Sequence, residues 1–124
     1  MRHLESKLQQ TCVKWFRLQY PMCLLFAIPN GGKRSVLEAK IMKGEGVVSG
    51  IPDLFLAEPI LHETWDGDEL LLPGLFIEMK TEKGRLTESQ KAIHAKLEQL
   101  GYRVAICRSL EEFMQTVNNY LNGK

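Results

Sequence analysis

The sequence predicts an α/β domain with a mixed four-stranded sheet flanked by helices, in the order α-β-α-β-β-α-β-α. Strands are predicted at residues 75–81 and 102–107, and a helical pattern at 87–100 separates them. Such a strand–helix–strand unit forms parallel strands with a right-handed crossover. The turn-rich, acidic residues 58–73 precede this unit, so we expect them to connect two antiparallel strands.

The first helix is predicted over residues 4–20. Apolar side chains recur there at helical spacing, which is typical of a helix with one buried face. The residues expected to face the core are Leu4, Leu8, Cys12, Trp15 and Leu18. Pro21 ends this helix, and residues 22–28 predict the first strand.

A second helix is predicted over residues 33–43, after a turn at residues 29–32. Its apolar side is expected to consist of Val36, Leu37 and Ile41. The second strand follows at residues 53–57.

Two capping boxes mark the starts of the last two helices. Thr87 is followed three residues later by Gln90, and Ser109 is followed by Glu112. The residues expected to face inward are Ile93, Leu97 and Leu100 in the first of these helices, and Leu110, Phe113, Val117 and Leu121 in the second.

Composition fits one domain over residues 1–124, of which 44% are hydrophobic. We find no apolar run long enough to cross a membrane and no signal-peptide pattern. The cysteines stand far apart among apolar residues and are expected to be reduced thiols of a cytoplasmic protein: Cys12, Cys23 and Cys107. The histidines lack metal-ligand spacing and are expected at the surface or in packing: His3, His62 and His94.

The net charge of +1 conceals a segregated distribution. Residues 1–50 carry +5, residues 51–78 carry −7 without any lysine or arginine, and residues 79–124 carry +3. An acidic centre between basic segments suits a cation site beside a surface for nucleic-acid phosphates. Chance segregation of solvated faces would give the same map.

Two short motifs carry the chemistry: Gly50-Ile51-Pro52-Asp53 and Ile77-Glu78-Met79-Lys80. Alternate strand residues share a face, so Glu78 and Lys80 project together, about 6–7 Å apart, whereas Met79 points to the core. With Asp53 at the start of a neighbouring strand, two carboxylates and an amine converge. These groups suit a divalent cation and a positioned amine for phosphodiester hydrolysis. Each motif alone is also common at strand starts or on solvated strand faces.

The motifs and the element order resemble the PD-(D/E)xK nuclease superfamily, which has the restriction-endonuclease-like fold. More narrowly, the chain is similar to the VRR-NUC (virus-type replication-repair nuclease) pattern from about residue 4 to residue 121. Besides the two motifs, the residues that carry this resemblance are Glu5, Pro29-Asn30-Gly31-Gly32, Gly46-Val47, Gln90 and Gly101-Tyr102-Arg103-Val104. The length is similar to that of stand-alone phage and prophage members, which implies a protein of the bacterial host cytoplasm.

The resemblance implies that Asp53, Glu78 and the Met79 backbone carbonyl hold Mg²⁺ or Mn²⁺, without a small-molecule cofactor. Lys80 would position or deprotonate the attacking water. Glu5 would complete the acidic pocket, directly or through a water on the metal, although a solvated helix position is its other interpretation. Gln90 would orient Lys80 or a water, and its role as half of a capping box is the alternative.

Contacts to DNA are expected from Asn30 and from a basic run: Lys33, Arg34, Lys40 and Lys43. Asn30 equally fits a turn position. The basic run equally fits an exposed helix face.

The resulting hypothesis is a metal-dependent, structure-specific endonuclease that acts on branched DNA. Cleavage of four-way (Holliday) junctions occurs among the stand-alone members that the sequence resembles, and it implies a homodimer with one active site per opposing strand. The alternatives are a monomeric flap- or nick-directed nuclease, and a non-catalytic DNA-binding module of a phage replication region. A small α/β protein whose acidic patch binds Ca²⁺ or a protein partner is a third alternative.

Overall fold

The computed structural model describes residues 2–29 and 35–123 of the chain. In that part of the chain the helices and strands follow in this order: α1 (Arg2–Gln19), β1 (Leu25–Ala27), α2 (Val36–Gly44), β2 (Leu54–Leu56), β3 (Ile60–Glu63), β4 (Glu69–Leu72), β5 (Leu75–Met79), α3 (Glu88–Gln99), β6 (Arg103–Cys107) and α4 (Leu110–Leu121).

The main sheet has four strands in the order β1-β2-β5-β6. β1 pairs antiparallel with β2, β2 pairs antiparallel with β5, and β6 joins β5 in parallel. The predicted mixed sheet is therefore confirmed, as are the antiparallel strands around residues 58–73 and the parallel β5–α3–β6 unit.

The connection between β2 and β5 forms a second sheet of its own. β3 pairs antiparallel with β4, and Glu63 lies opposite Glu69 at the turn. The turn is closed by Thr64, whose backbone N–H donates to Asp68 O at 2.8 Å, and Gly67 supplies a φ of +89°. The connection thus contains two additional strands that the sequence analysis did not predict, because each has only four residues, too few for a strand pattern to stand out beside the turn residues.

The core lies between one face of the main sheet and the helices α1 and α4, which pack on each other. Every second residue of β5 points into it, as strand alternation requires. The buried apolar side chains are Leu54, Leu56, Leu75, Ile77 and Met79 from the sheet, Cys12 and Phe16 from α1, and Phe113, Val117 and Tyr120 from α4.

The buried stripe of α1 differs from the predicted one. Leu4 and Leu18 are exposed, whereas Cys12 and Phe16 are fully buried. The buried stripe follows steps of four residues from Leu8, since these positions lie above one another on the face that meets the sheet. The prediction departed from that line at both ends of the helix.

α2 was expected to bury an apolar side, and this prediction is wrong. α2 has no buried residue, and Val36, Leu37 and Ile41 are all exposed. Its first turn is instead fixed locally by a capping box in which the Ser35 Oγ accepts from Glu38 N and Glu38 Oε1 accepts from Ser35 N. Helical spacing showed that the three side chains cluster, but not that another element covers them.

The last two helices also depart from the expected pattern in part. Leu100 lies at the end of α3 and is exposed, and His94 is the buried residue of that helix. Ser109 caps α4 by accepting from Glu112 N, but Glu112 Oε1 accepts from Arg108 N instead of completing the capping box.

Candidate active site

Glu78, near the end of β5, and Lys80, the first residue after it, lie on the face of the strand opposite the core. Met79 lies in the core and is only 1% exposed, as strand alternation predicts. Glu78 and Lys80 are also buried, with exposed fractions of 2% and 8%. Burying a charged group is costly unless other groups compensate it, so their surroundings determine what this site can do.

Asp53 lies directly beside Glu78. The β2–β5 register ends at the pair Leu54 and Ile77, which places the next residue of each strand side by side. Asp53 Oδ2 accepts the backbone N–H of Met79 at 2.7 Å, and its own carbonyl accepts from Ile28 N at 2.8 Å. The Met79 N–H therefore holds the Asp53 carboxylate at the end of β5, and Ile28 fixes the Asp53 backbone.

The Asp53 and Glu78 carboxyl groups lie within hydrogen-bonding reach of each other. Burial, followed by the Asp53 charge, raises the pKa of Glu78 well above its usual range, and Lys80 opposes that rise. Within the described part of the chain Lys80 forms no ion pair with either carboxylate. Two adjacent carboxyl groups that are not neutralised by a cation tend to share a proton.

Glu5 reaches this acidic pair from α1. It is half-buried and lines a cavity of about 200 Å³ together with Ser6, Gln9 and Asp53. The Glu5 charge contributes to the raised pKa of Glu78, which places the two groups in one electrostatic environment. The first helix and the two strands therefore meet at a single acidic pocket.

Gln90 forms the capping box that was one of its two predicted alternatives, and its side-chain amide also contacts Glu78 instead of the expected Lys80. Its Oε1 accepts from Thr87 N at 2.9 Å, and Thr87 Oγ1 accepts from Gln90 N at 3.1 Å, which completes the capping box. Its Nε2 donates to Glu78 Oε2 at 3.3 Å. Because the carbonyl and the amino group of one amide point in different directions, the cap and the contact with Glu78 are compatible.

His94 is a site residue that the sequence analysis did not identify. Its Nε2 lies 3.2 Å from Glu78 Oε1, and the side chain is 8% exposed. Burial lowers the pKa of His94, so the neutral imidazole is favoured. The sequence feature that could have identified His94 is its position four residues after Gln90, on the same face of α3.

The loop after β5 covers the stem of Lys80. A Cβ added at Gly84 would lie 3.3 Å from Lys80 Cδ. Arg108 fixes this loop because its Nη1 donates to Thr81 O at 2.8 Å and to Gly84 O at 2.6 Å. Nothing in the local sequence pattern singled out Arg108, because its partners are backbone carbonyls distant in the chain.

The donor set suits a hard divalent cation. Asp53 and Glu78 supply carboxylate oxygens, and the charge of a cation beside them would oppose the effect of burial and of Asp53, which raise the pKa of Glu78. Among the described residues no group of three or more His, Cys, Asp or Glu side chains is arranged to hold a metal. Mg²⁺ commonly uses one or two carboxylates and keeps several waters, so this pair is a sufficient protein contribution.

The structure brings Glu5, Asp53, Glu78, Lys80 and Gln90 together, but the expected DNA contacts lie elsewhere or are not described. Lys40 and Lys43 are exposed on α2. Asn30, Lys33 and Arg34 fall outside the described residues.

A mixed sheet with Asp53 and Glu78 on adjacent strands defines a restriction-endonuclease-like α/β protein, a nuclease-type fold. The chain belongs to the VRR-NUC family, because the family model described as the VRR-NUC domain matches residues 2–111. A solved structure described as a VRR_NUC domain protein is similar to it with a TM-score of 0.72 and 21% sequence identity, covering 96% of this chain and 88% of that one.

No curated protein matches the sequence. In the described residues, no helix has both the length and the apolar character needed to cross a membrane.

Proposed function

We propose that the chain is a Mg²⁺- or Mn²⁺-dependent endonuclease that hydrolyses phosphodiester bonds in branched DNA. The observation that supports this most is the convergence of Asp53, Glu78 and Lys80, in which two adjoining carboxyl groups and a buried amine meet at one end of the sheet. A purely structural ion pair would join the amine to a carboxylate, but within the described residues Lys80 has no such pairing.

In this proposal Asp53, Glu78 and the Met79 backbone carbonyl hold the cation, which when bound supplies Lewis acidity and a more acidic water. The Met79 N–H holds the Asp53 carboxylate in place at 2.7 Å. Lys80 positions or deprotonates the attacking water and offsets negative charge that develops on the phosphate. Glu5 closes the acidic pocket, and Gln90 holds Glu78 through its side-chain amide.

The proposed substrate is a four-way junction, and the proposed assembly is a homodimer. Each chain carries one acidic pocket, and two opposing strands require two pockets related by a two-fold axis. The basic segments on either side of the acidic centre support a DNA partner, with contacts from Asn30, Lys33, Arg34, Lys40 and Lys43. A phage or prophage origin and action in the bacterial cytoplasm rest on the family resemblance.

The test compares wild type with Asp53→Ala on labelled four-way junction, flap, duplex and single-stranded DNA, each with Mg²⁺, Mn²⁺ or EDTA. Asp68→Ala is the matched control because Asp68 lies in the exposed β3–β4 turn. We expect symmetric, metal-dependent cutting of the junction by wild type and Asp68→Ala, and none by Asp53→Ala with its melting temperature preserved.

Other results would revise the proposal in defined ways. Cleavage of the flap alone would keep the chemistry and replace the junction with a flap substrate. Binding without cleavage by wild type in either metal would overturn the enzyme and leave a DNA-binding module. Equal cleavage by wild type and Asp53→Ala would overturn the assignment of the site.

A further inference from the structure

Two side chains of α3 contact the two oxygens of the Glu78 carboxylate. Gln90 Nε2 lies 3.3 Å from Oε2, and His94 Nε2 lies 3.2 Å from Oε1. The two residues are one helical turn apart, so a single face of α3 addresses both oxygens. A carboxylate with a donor on each oxygen cannot rotate about its last bond without losing one contact.

The Gln90 contact has a fixed direction because the other end of its amide is already engaged. Its Oε1 accepts from Thr87 N, which leaves the Nε2 group to donate toward Glu78. Among the described residues, no second hydrogen bond fixes the direction of the His94 contact in this way. His94 is buried beside Glu78 Oε1, which accepts hydrogen bonds when the carboxyl group is ionised. When Glu78 is ionised, as a metal ligand would be, the His94 Nε2 must carry the proton for that contact to be favourable.

We propose that His94 is a positioning residue that donates through Nε2–H to Glu78 Oε1 and thereby sets the carboxylate plane for the divalent cation. This inference rests on the proposed function, because it assumes that Glu78 is a metal ligand. A carboxylate offers about four lone-pair sites, so one donor on each oxygen leaves a lone pair on each for the cation. His94 touches neither the substrate nor the cation, and acts through Glu78.

Groups of this kind orient metal ligands, and their removal typically lowers metal affinity or activity about 10- to 100-fold. The test measures Mn²⁺ affinity by calorimetry, together with kcat and KM on junction DNA, for His94→Phe and His94→Gln. Phenylalanine keeps a ring but has no donor, whereas glutamine places an amide nitrogen near the position of the imidazole Nε2. His62→Phe removes a histidine from β3, outside the site, and is the matched control.

For His94→Phe we expect the Mn²⁺ affinity and kcat each to fall about 10- to 100-fold, with KM for DNA little changed. His94→Gln should recover most of both properties, and His62→Phe should match wild type. Wild-type Mn²⁺ affinity in a folded His94→Phe would overturn the inference, as would a folded His94→Gln that is as impaired as His94→Phe.

A second measurement needs no substitution and so does not depend on the variants folding. Long-range ¹H–¹⁵N correlation spectra of the Mg²⁺-loaded wild type report which imidazole nitrogen is protonated. We expect the Nε2–H tautomer at His94, and a Nδ1–H tautomer would overturn the inference. If wild type binds metal but cuts no DNA, the proposed nuclease function is contradicted. The role of His94 in holding Glu78 is then still tested by the Mn²⁺ affinity of the variants and by the tautomer of His94.

Discussion

Gly50 lies directly against the backbone of Ser89 at the start of α3. A Cβ at Gly50 would come within 2.5 Å of Ser89 O and 2.6 Å of Ser89 C, and the residue adopts a φ of +94°. The Ser49 and Ser89 hydroxyl oxygens are 3.2 Å apart beside it. The loop that leads into Asp53 therefore also packs against the start of α3, the helix whose side chains contact Glu78.

Gly50→Ala is expected to destabilise the fold and to weaken metal binding together. The substitution meets both an unfavourable φ and a backbone clash, so the loss should exceed the roughly 1–3 kcal/mol typical of strained backbone alone. Urea denaturation gives the free energy of unfolding, and Mn²⁺ titration gives the affinity. Gly67→Ala is the matched control, because Gly67 also has a positive φ of +89° but nothing within 4 Å of its Cβ position. Equal losses in the two variants would show that the contact with Ser89 is unimportant.

Glu78→Gln is expected to abolish cleavage and to stabilise the metal-free protein at alkaline pH. Burial and Asp53 raise the pKa of Glu78 in the folded state, whereas Lys80 opposes the rise and Glu5 adds to it. Between the ordinary glutamate pKa and the raised one, the folded protein holds a proton that the unfolded chain lacks. The free energy of unfolding therefore falls as pH rises through that window, by at most about 1.4 kcal/mol per pH unit.

Denaturation in EDTA over a pH series from weakly acidic to alkaline tests this expectation. Glutamine has no proton to lose, so Glu78→Gln should flatten the decline seen in wild type. The exposed Glu63 provides the control, and Glu63→Gln should keep the wild-type slope. A wild-type slope in Glu78→Gln would mean that another group carries the proton.

Lys80→Met is expected to lower kcat much more than DNA affinity. Methionine keeps the buried aliphatic stem and removes the amine that positions the water, so we expect a loss of about 10²- to 10⁴-fold in turnover. DNA affinity is measured by fluorescence anisotropy in Ca²⁺, which should support binding but not efficient cleavage because it is larger and less strictly octahedral than Mg²⁺. Lys83→Met, on the exposed part of the same loop, is the control. Equal losses in binding and turnover would make Lys80 a phosphate contact.

If the proposed homodimer forms, we expect it to use the exposed apolar side of α2. Leu37 and Ile41 are 67% and 52% exposed in the single chain, and clustered exposed apolar side chains often mark an interface. We expect wild type to scatter light as a dimer, and the double variant Leu37→Glu/Ile41→Glu to scatter as a monomer and to make single nicks in place of symmetric cuts in the junction. The control is Leu61→Glu/Leu71→Glu, which charges the exposed pair of the β3–β4 hairpin. A monomeric wild type would overturn the dimer, and dissociation of the control alone would move the interface to the hairpin.

Local sequence patterns predicted the parts of the site that depend on local geometry. Strand alternation separates Glu78 and Lys80 from Met79 because successive side chains point to opposite faces. The spacing of Thr87 and Gln90 predicted a capping box, which forms because the helix start leaves backbone N–H groups without partners.

Long-range packing determined the remaining parts. Residue patterns did not show that α1 would bring Glu5 beside Asp53, which only the family resemblance implied, or that α3 would turn His94 rather than Leu100 inward. Periodicity tells which residues of a helix share a face, but the docking of that helix on the sheet decides which face is covered. The exposed side of α2 is the clearest example, since its apolar spacing was correct and its burial was not.

The sequence by itself therefore determined the order of the main-sheet elements, the face of β5 that carries Glu78 and Lys80, and the resemblance to the VRR-NUC family. Only the tertiary structure decided that Gln90 and His94 each contact one oxygen of Glu78. The physical reason is that side-chain direction follows from backbone geometry within one element, whereas a contact between elements depends on how Gly50, Ser89 and the rest of the chain let them approach.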